Sequence, residues 1–211
     1  MESILPFLPG FAIAYGILLV GASSPGPAVA LLMGISVSQG RSAGLLTCAG
    51  IATGSATINV LTILGVGLIL SQAAWAMMAL KFAGSAYLMY LAYGAFRKAI
   101  HPPPITAMAV TRQSAPTLVA KGYLLQITNP KAIAFWLAIA AVGATQGAPL
   151  WVIAFFVSSM WVLSFGCHAA WAFALSASPV RAAYQRSRRW IEGTLGAFFA
   201  FAAFKLATAR G

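Results

Sequence analysis

Acidic side chains are almost missing: Glu2 and Glu192 are the only two among 211 residues, against 13 lysines and arginines. Charge of either sign is scarce, at 7% of the chain. A soluble domain carries roughly a quarter charged residues, because its surface must stay wet. So few charges cannot coat a folded surface. The shortage of carboxylates also removes the oxygen ligands that a hard divalent cation needs. Cysteine is equally thin, with Cys48 and Cys167 far apart in apolar segments. Two such residues build neither a disulfide framework nor a zinc site, and both read as small buried hydrophobes.

What the chain has instead is hydrophobic residues, 61% of the total, gathered in long runs. Crossing the hydrocarbon takes about 20 mainly apolar residues at about 1.5 Å each. Six such runs are predicted, over residues 4–37, 43–70, 73–96, 122–142, 150–175 and 193–209. Met1-Glu2-Ser3 has no basic character, so the first run reads as a retained span rather than a cleaved signal. That run is too long for one upright crossing and too short for two. Ser23-Ser24-Pro25-Gly26-Pro27 breaks it, since two prolines and a glycine cannot continue a regular helix. The fourth run is broken likewise at Asn129-Pro130-Lys131. His101-Pro102-Pro103-Pro104 favours extended polyproline structure and marks a linker. The organisation expected is a first three-helix repeat over 1–98, a basic proline-rich cytoplasmic linker over 99–120 and a second three-helix repeat over 121–211.

The net charge of +11 is distributed by topology rather than clustered for nucleic acid, which is not an expected partner. Arg41, the linker, and Arg181, Arg186, Arg188 and Arg189 all fall on one side of a six-span chain. That side is cytoplasmic by the positive-inside rule, which leaves both termini extracytoplasmic.

The halves resemble each other. Pro25-Gly26-Pro27-Ala28-Val29-Ala30 aligns with Asn129-Pro130-Lys131-Ala132-Ile133-Ala134, and Phe82-Ala83-Gly84-Ser85 with Ile191-Glu192-Gly193-Thr194. A unit of three spans is odd, so the second copy inserts upside down. The expected fold class is thus an all-α integral membrane protein, six transmembrane helices as two inverted three-helix repeats with proline-broken first and fourth helices. Broken helices at equivalent positions of inverted repeats mark transporters, with the substrate where the breaks meet.

Helices that restart after Pro27 and after Asn129-Pro130 present free N–H groups and a positive dipole end, which suits a carboxylate. Lys131 adds a full charge. An intramembrane lysine is costly and therefore a functional candidate, the alternative being that it snorkels to the interface. His168 is a candidate proton carrier or a packing residue. Glu192 is a proton-coupling carboxylate or an interfacial ion pair with Arg188 and Arg189. Asn59 and Gln126 contact substrate or bond between helices. The aromatic residues are expected mainly at the lipid and the interface.

Ser24-Pro25-Gly26-Pro27, Gln39-Gly40-Arg41-Ser42-Ala43-Gly44, Gly50-Ile51-Ala52-Thr53-Gly54, Leu80-Lys81-Phe82-Ala83-Gly84-Ser85 and Thr128-Asn129-Pro130-Lys131-Ala132 together resemble the LysE/RhtB family of amino-acid exporters. The resemblance covers essentially the whole chain. It implies efflux of amino acids across the bacterial cytoplasmic (inner) membrane, driven by proton antiport. The core of the site would be Pro25, Gly26, Pro27, Asn129, Pro130 and Lys131, with Asn59 nearby. Many members have asparagine where this chain has Ala28, and an acidic or histidine side chain where it has Ser55 and Asn59. With no acid deep in any span to balance a cationic substrate, neutral amino acids such as threonine, homoserine or leucine are expected. No cofactor is implied, and a homo-oligomer is left open. Two other readings stand beside this one. A membrane thiol-redox conduit would use Cys48 and Cys167, and a divalent-cation exporter would need carboxylates the spans lack.

Overall fold

Proline decides where the helices of the first and fourth runs stop. In the computed structural model, which describes residues 3–72, 74–102 and 112–208, a short 3-10 turn (Leu5–Phe7) leads into α1 (Leu8–Ser23). Pro25 disfavours helical geometry in the residue before it, and Ser24 is accordingly extended, with ψ 134°. Helix α2 (Pro27–Gln39) restarts with Pro27 in its first turn, where a missing N–H costs nothing. It stops at Gly40, whose φ of 87° lies in the left-handed region open to glycine. Helices α3 (Arg41–Gln72) and α4 (Ala74–Ile100) follow. Helix α5 (Ala115–Thr128) ends at Asn129, extended ahead of Pro130 with ψ 110°. Helix α6 (Pro130–Ala141) leaves at a bend of 63°. Helices α7 (Leu150–Ser176) and α8 (Ser178–Thr208) complete an all-helical chain, with no strand among the described residues.

Among the described residues, three stretches are long and apolar enough to cross a membrane alone: Leu5–Ser23, Arg41–Gly65 and Leu150–Ser176. The bent pair α5–α6 makes a fourth if it counts as one crossing. Helix α7, at about 1.5 Å per residue, reaches about 40 Å, more than the hydrocarbon thickness.

One expectation is revised. The arginine-rich stretch 181–189 is not a loop but the first half of α8. Alanine, arginine and glutamine are strong helix formers, and Pro179 sits in the first turn, where it is tolerated. Phe82, Tyr90, Tyr93, Phe96, Trp151, Phe155 and Trp190 are exposed, while Phe11, Trp136 and Phe156 are each 1% exposed and pack inside. Of the linker, residues 103–111, including Pro103 and Pro104, lie outside the described residues, as does the side chain of Lys81.

Two compact units share the chain, and each draws on both halves of the sequence. The first covers residues 1–67 and 107–177. In it α1 packs on α6 and α7, and α2 on α5 and α7. Phe11, Leu18, Trp136, Ile139, Val152, Phe156 and Met160 form its largest apolar cluster. Helices α3 and α5 meet backbone to backbone. A methyl group on Gly50 would overlap the Val119 carbonyl, and one on Gly122 would overlap that of Thr47. Small residues permit this approach inside a membrane. The second unit covers residues 68–106 and 178–211, with α4 and α8 packed along each other. There Gly196 accepts the ring of Phe96, and Arg189 Nε donates to the Ala99 carbonyl at 3.1 Å.

Candidate functional site

Ending a helix inside an apolar layer frees carbonyl and N–H groups that need partners. At the end of α1 the carbonyls are answered one by one. The Val20 carbonyl accepts from the Ser24 N–H at 3.0 Å, and that of Gly21 from the Ser24 hydroxyl at 2.9 Å. The Ala22 carbonyl accepts from the indole of Trp171 on α7 at 3.2 Å. The Ser24 carbonyl accepts from the ammonium of Lys131 at 2.8 Å, a contact between residues 107 positions apart. Lys131 therefore reaches away from its own break and caps the other one. Cations are favoured at a helix C-terminus, and this ammonium sits at that of α1.

The N-terminal side of the same break is not answered. Gly26 caps α2 without a side chain, and the first bond of the ladder runs from Ala30 N–H to the Gly26 carbonyl at 3.0 Å. The N–H groups of Ala28 and Val29 precede that ladder. A methyl group on Gly26 would lie 3.2 Å from Lys131 Nζ. The positive end of α2 and the ammonium thus face one small space. At the second break, Asn129 serves both sides: its N–H donates to the Gln126 carbonyl at 3.2 Å at the end of α5, and its side chain and carbonyl open α6. Its Oδ1 accepts from the Lys131 N–H at 3.1 Å, and its carbonyl from the Ile133 N–H at 3.0 Å.

Both breaks border one hollow of about 40 Å³, room for roughly three water-sized spheres. Ser24, Gly26, Ala28 and Val29 line it from the first break; Asn129, Lys131, Ala132, Phe135 and Trp136 from the second. Ser55, Gln126 and His168 add a polar wall. The close approach of α3 and α5 builds that wall. Gln126 Nε2 donates to Ser55 Oγ at 2.8 Å, the Ser164 hydroxyl donates to Ser55 Oγ at 3.2 Å, and His168 Nδ1 lies 2.7 Å from the Ser164 carbonyl. No aspartate or glutamate is among the lining residues. The arrangement offers an ammonium and backbone N–H groups to a small carboxylate, and neutral acceptors to whatever is attached to it.

Of the residues expected in the site, Gly26, Asn129, Lys131 and His168 line the hollow, while Pro25, Pro27 and Pro130 set the breaks without lining it. Asn59 is 1% exposed on α3 and does not line it; its Nδ2 has no hydrogen-bond partner among the described residues. Glu192 belongs to the second unit, buried, with Arg188 Nε at 3.8 Å. Cys48 packs among Ala28, Leu32, Ile51 and Ala172, and Cys167 is a half-exposed free thiol. Sequence reasoning passed over Ser164 and Trp171. The spacing of Ser164 and His168, four apart on one helical face, was the available signal for the first.

A profile of the family described as LysE type translocator matches residues 19–210. The chain is 30% identical to the threonine efflux protein of Escherichia coli (strain K12) over 187 residues, covering 86% of this chain and 89% of that protein. It is 26% identical to an uncharacterized membrane protein, YahN, of the same organism over 193 residues, 90% of this chain and 86% of that one. The homoserine/homoserine lactone efflux protein of Salmonella typhimurium is 33% identical over 116 residues, 55% of each chain. No solved structure matches. With the family profile spanning nearly the whole chain, this protein belongs to the LysE-type translocators, and it is an efflux transporter rather than an enzyme.

Proposed function

We propose that the chain exports small neutral amino acids across the bacterial inner membrane in exchange for protons. In this reading it crosses the bilayer six times as two inverted repeats, with both termini outside. The substrate carboxylate docks at the start of α2, on the N–H groups of Ala28 and Val29 and the ammonium of Lys131. Pro25, Gly26, Pro27, Asn129 and Pro130 shape that place. The observation that carries the proposal is the 2.8 Å bond from Lys131 to the Ser24 carbonyl, which brings the cation of one break into the other, beside Gly26 at the open start of α2. A ligand carboxylate has a partner in each.

The hollow is too small for an amino acid with its side chain, so loading requires the two breaks to part. The bonds of Lys131 and Trp171 to α1 are the contacts that would then be exchanged. Neutral substrates are favoured because no carboxylate lines the hollow to balance a cationic side chain. The relatives named for threonine and for homoserine fit that class.

The test is counterflow in proteoliposomes with threonine, homoserine, leucine and lysine, with and without a pH gradient. Neutral substrates should exchange, and an outwardly acidic gradient should drive their accumulation outside. A preference for lysine would overturn the neutral assignment.

A further inference from the structure

The hollow answers one end of a zwitterion by charge and leaves the other to a neutral group. A carboxylate has Lys131 and the start of α2. An α-ammonium has no acid to meet among the lining residues. The Ser24 carbonyl and Asn129 Oδ1 already accept from Lys131, and Ser55 Oγ accepts from both Gln126 and Ser164. The neutral acceptors on the wall include Gln126 Oε1 and His168. Only the second changes its character with pH.

The tautomer of His168 follows from its partner. A carbonyl can only accept, so Nδ1 carries the hydrogen toward Ser164 O, and Nε2 holds the lone pair of the neutral ring. The ring is 4% exposed and lines the hollow. We infer that the α-ammonium of the substrate and the coupling proton compete for Nε2 of His168. This rests on the amino-acid export reading and names its coupling group.

The exchange balances simply. Facing the cytoplasm, neutral His168 accepts a hydrogen bond from the ammonium while the carboxylate lies at Lys131. Facing outward, a proton adds to Nε2. The imidazolium has no lone pair and bears the same sign as the ammonium, so the substrate leaves. The proton comes off on the inside, and no covalent bond of the substrate changes. One proton enters for each zwitterion exported, moving one positive charge inward.

The groups that face His168 leave it as the switching site. Lys131, from α6, lines the same hollow and acts on it electrostatically. Helix α2 carries no titratable side chain. On α1 the Tyr15 hydroxyl is held by Ser159 at 2.6 Å. Helix α3 brings Cys48, packed with Ala172, and Arg41, 5.7 Å from the Phe173 ring; α5 has Lys121 and Tyr123, and α7 itself Cys167. None of these except Lys131 lines the hollow.

The test is the pH profile of exchange in proteoliposomes holding the full chain. For the unaltered protein, lowering the pH should raise the half-saturating substrate concentration, by about tenfold per pH unit once the imidazole is protonated, with the maximal rate little changed. In His168→Gln the amide oxygen still accepts from an ammonium but cannot titrate. Exchange should be slower by several-fold, its half-saturating concentration flat with pH, and accumulation driven by a pH gradient lost. Gradient-driven accumulation by His168→Gln would overturn the proposal. If that variant is inactive, the unaltered protein decides: a pH-independent half-saturating concentration sinks the competition. Absence of amino-acid exchange by the unaltered protein would instead overturn the export reading beneath it.

Discussion

The two helix breaks solve the same problem by opposite means. At Asn129 one residue closes α5 and opens α6, and its own side chain supplies the cap. At Ser24–Gly26 three residues separate α1 from α2; Ser24 answers the Val20 and Gly21 carbonyls, while those of Ala22 and Ser24 take donors brought from α7 and α6. The second break is self-contained; the first depends on its neighbours. A break completed from outside is one that a ligand can enter by exchanging those partners. The lesson is that two breaks alike in sequence need not have equivalent roles. One presents the open helix start, and the other carries the cation that reaches it.

The largest effect should come from Lys131→Ala, which removes the ammonium bridging the breaks. Losing a charge that holds a carboxylate costs about 2–5 kcal/mol, so transport should fall on the order of 100-fold or more while the protein still reaches the membrane. Amounts in isolated membranes and exchange in proteoliposomes check both halves. Near-normal exchange would mean that the breaks act separately. Gly26→Ala sharpens the point. Its φ of −172° is extended backbone that alanine also adopts, so the start of α2 should persist. The added methyl group would press on Lys131 Nζ at 3.2 Å and Cδ at 3.4 Å. Displacing the ammonium by a fraction of an ångström should lower exchange about tenfold with little change in thermal stability.

Smaller effects separate the self-contained break from the assisted one. Asn129→Ala loses an N-cap worth about 1 kcal/mol, and Asn129→Ser should restore most of it. Trp171→Phe leaves the Ala22 carbonyl without its indole donor, at about 0.5–1.5 kcal/mol. Thermal unfolding in detergent measures both. If the first break depends on its neighbours, Trp171→Phe should also alter exchange beyond its effect on stability.

Much of this site was legible before any coordinates. Prolines at 25, 27 and 130 announce where helices stop, because a ring without an N–H and a clash with the preceding residue act locally. That Lys131 is a candidate for the site also follows from its position beside a break. Its partner does not, because the Ser24 carbonyl is contributed by a segment 107 residues earlier. The wall of Ser55, Gln126, Ser164 and His168 was equally hidden. Each is an ordinary polar residue on its helix, and they become one chain because α3 meets α5, where Gly50 and Gly122 let them touch, and α7. Helix α8 escaped for the opposite reason. Its arginines were read by charge, although their intrinsic helix preference was the stronger local force.

Composition and local sterics alone determined that this chain has too few charges for water, runs long enough to cross a bilayer, and two helices that must break at proline. Those properties depend on residue type and near neighbours. The tertiary structure alone decided that the breaks face one hollow, that the lysine of the second caps the first, and that an imidazole stands opposite. Such facts depend on which helices pack together, and packing is a property of the whole folded chain.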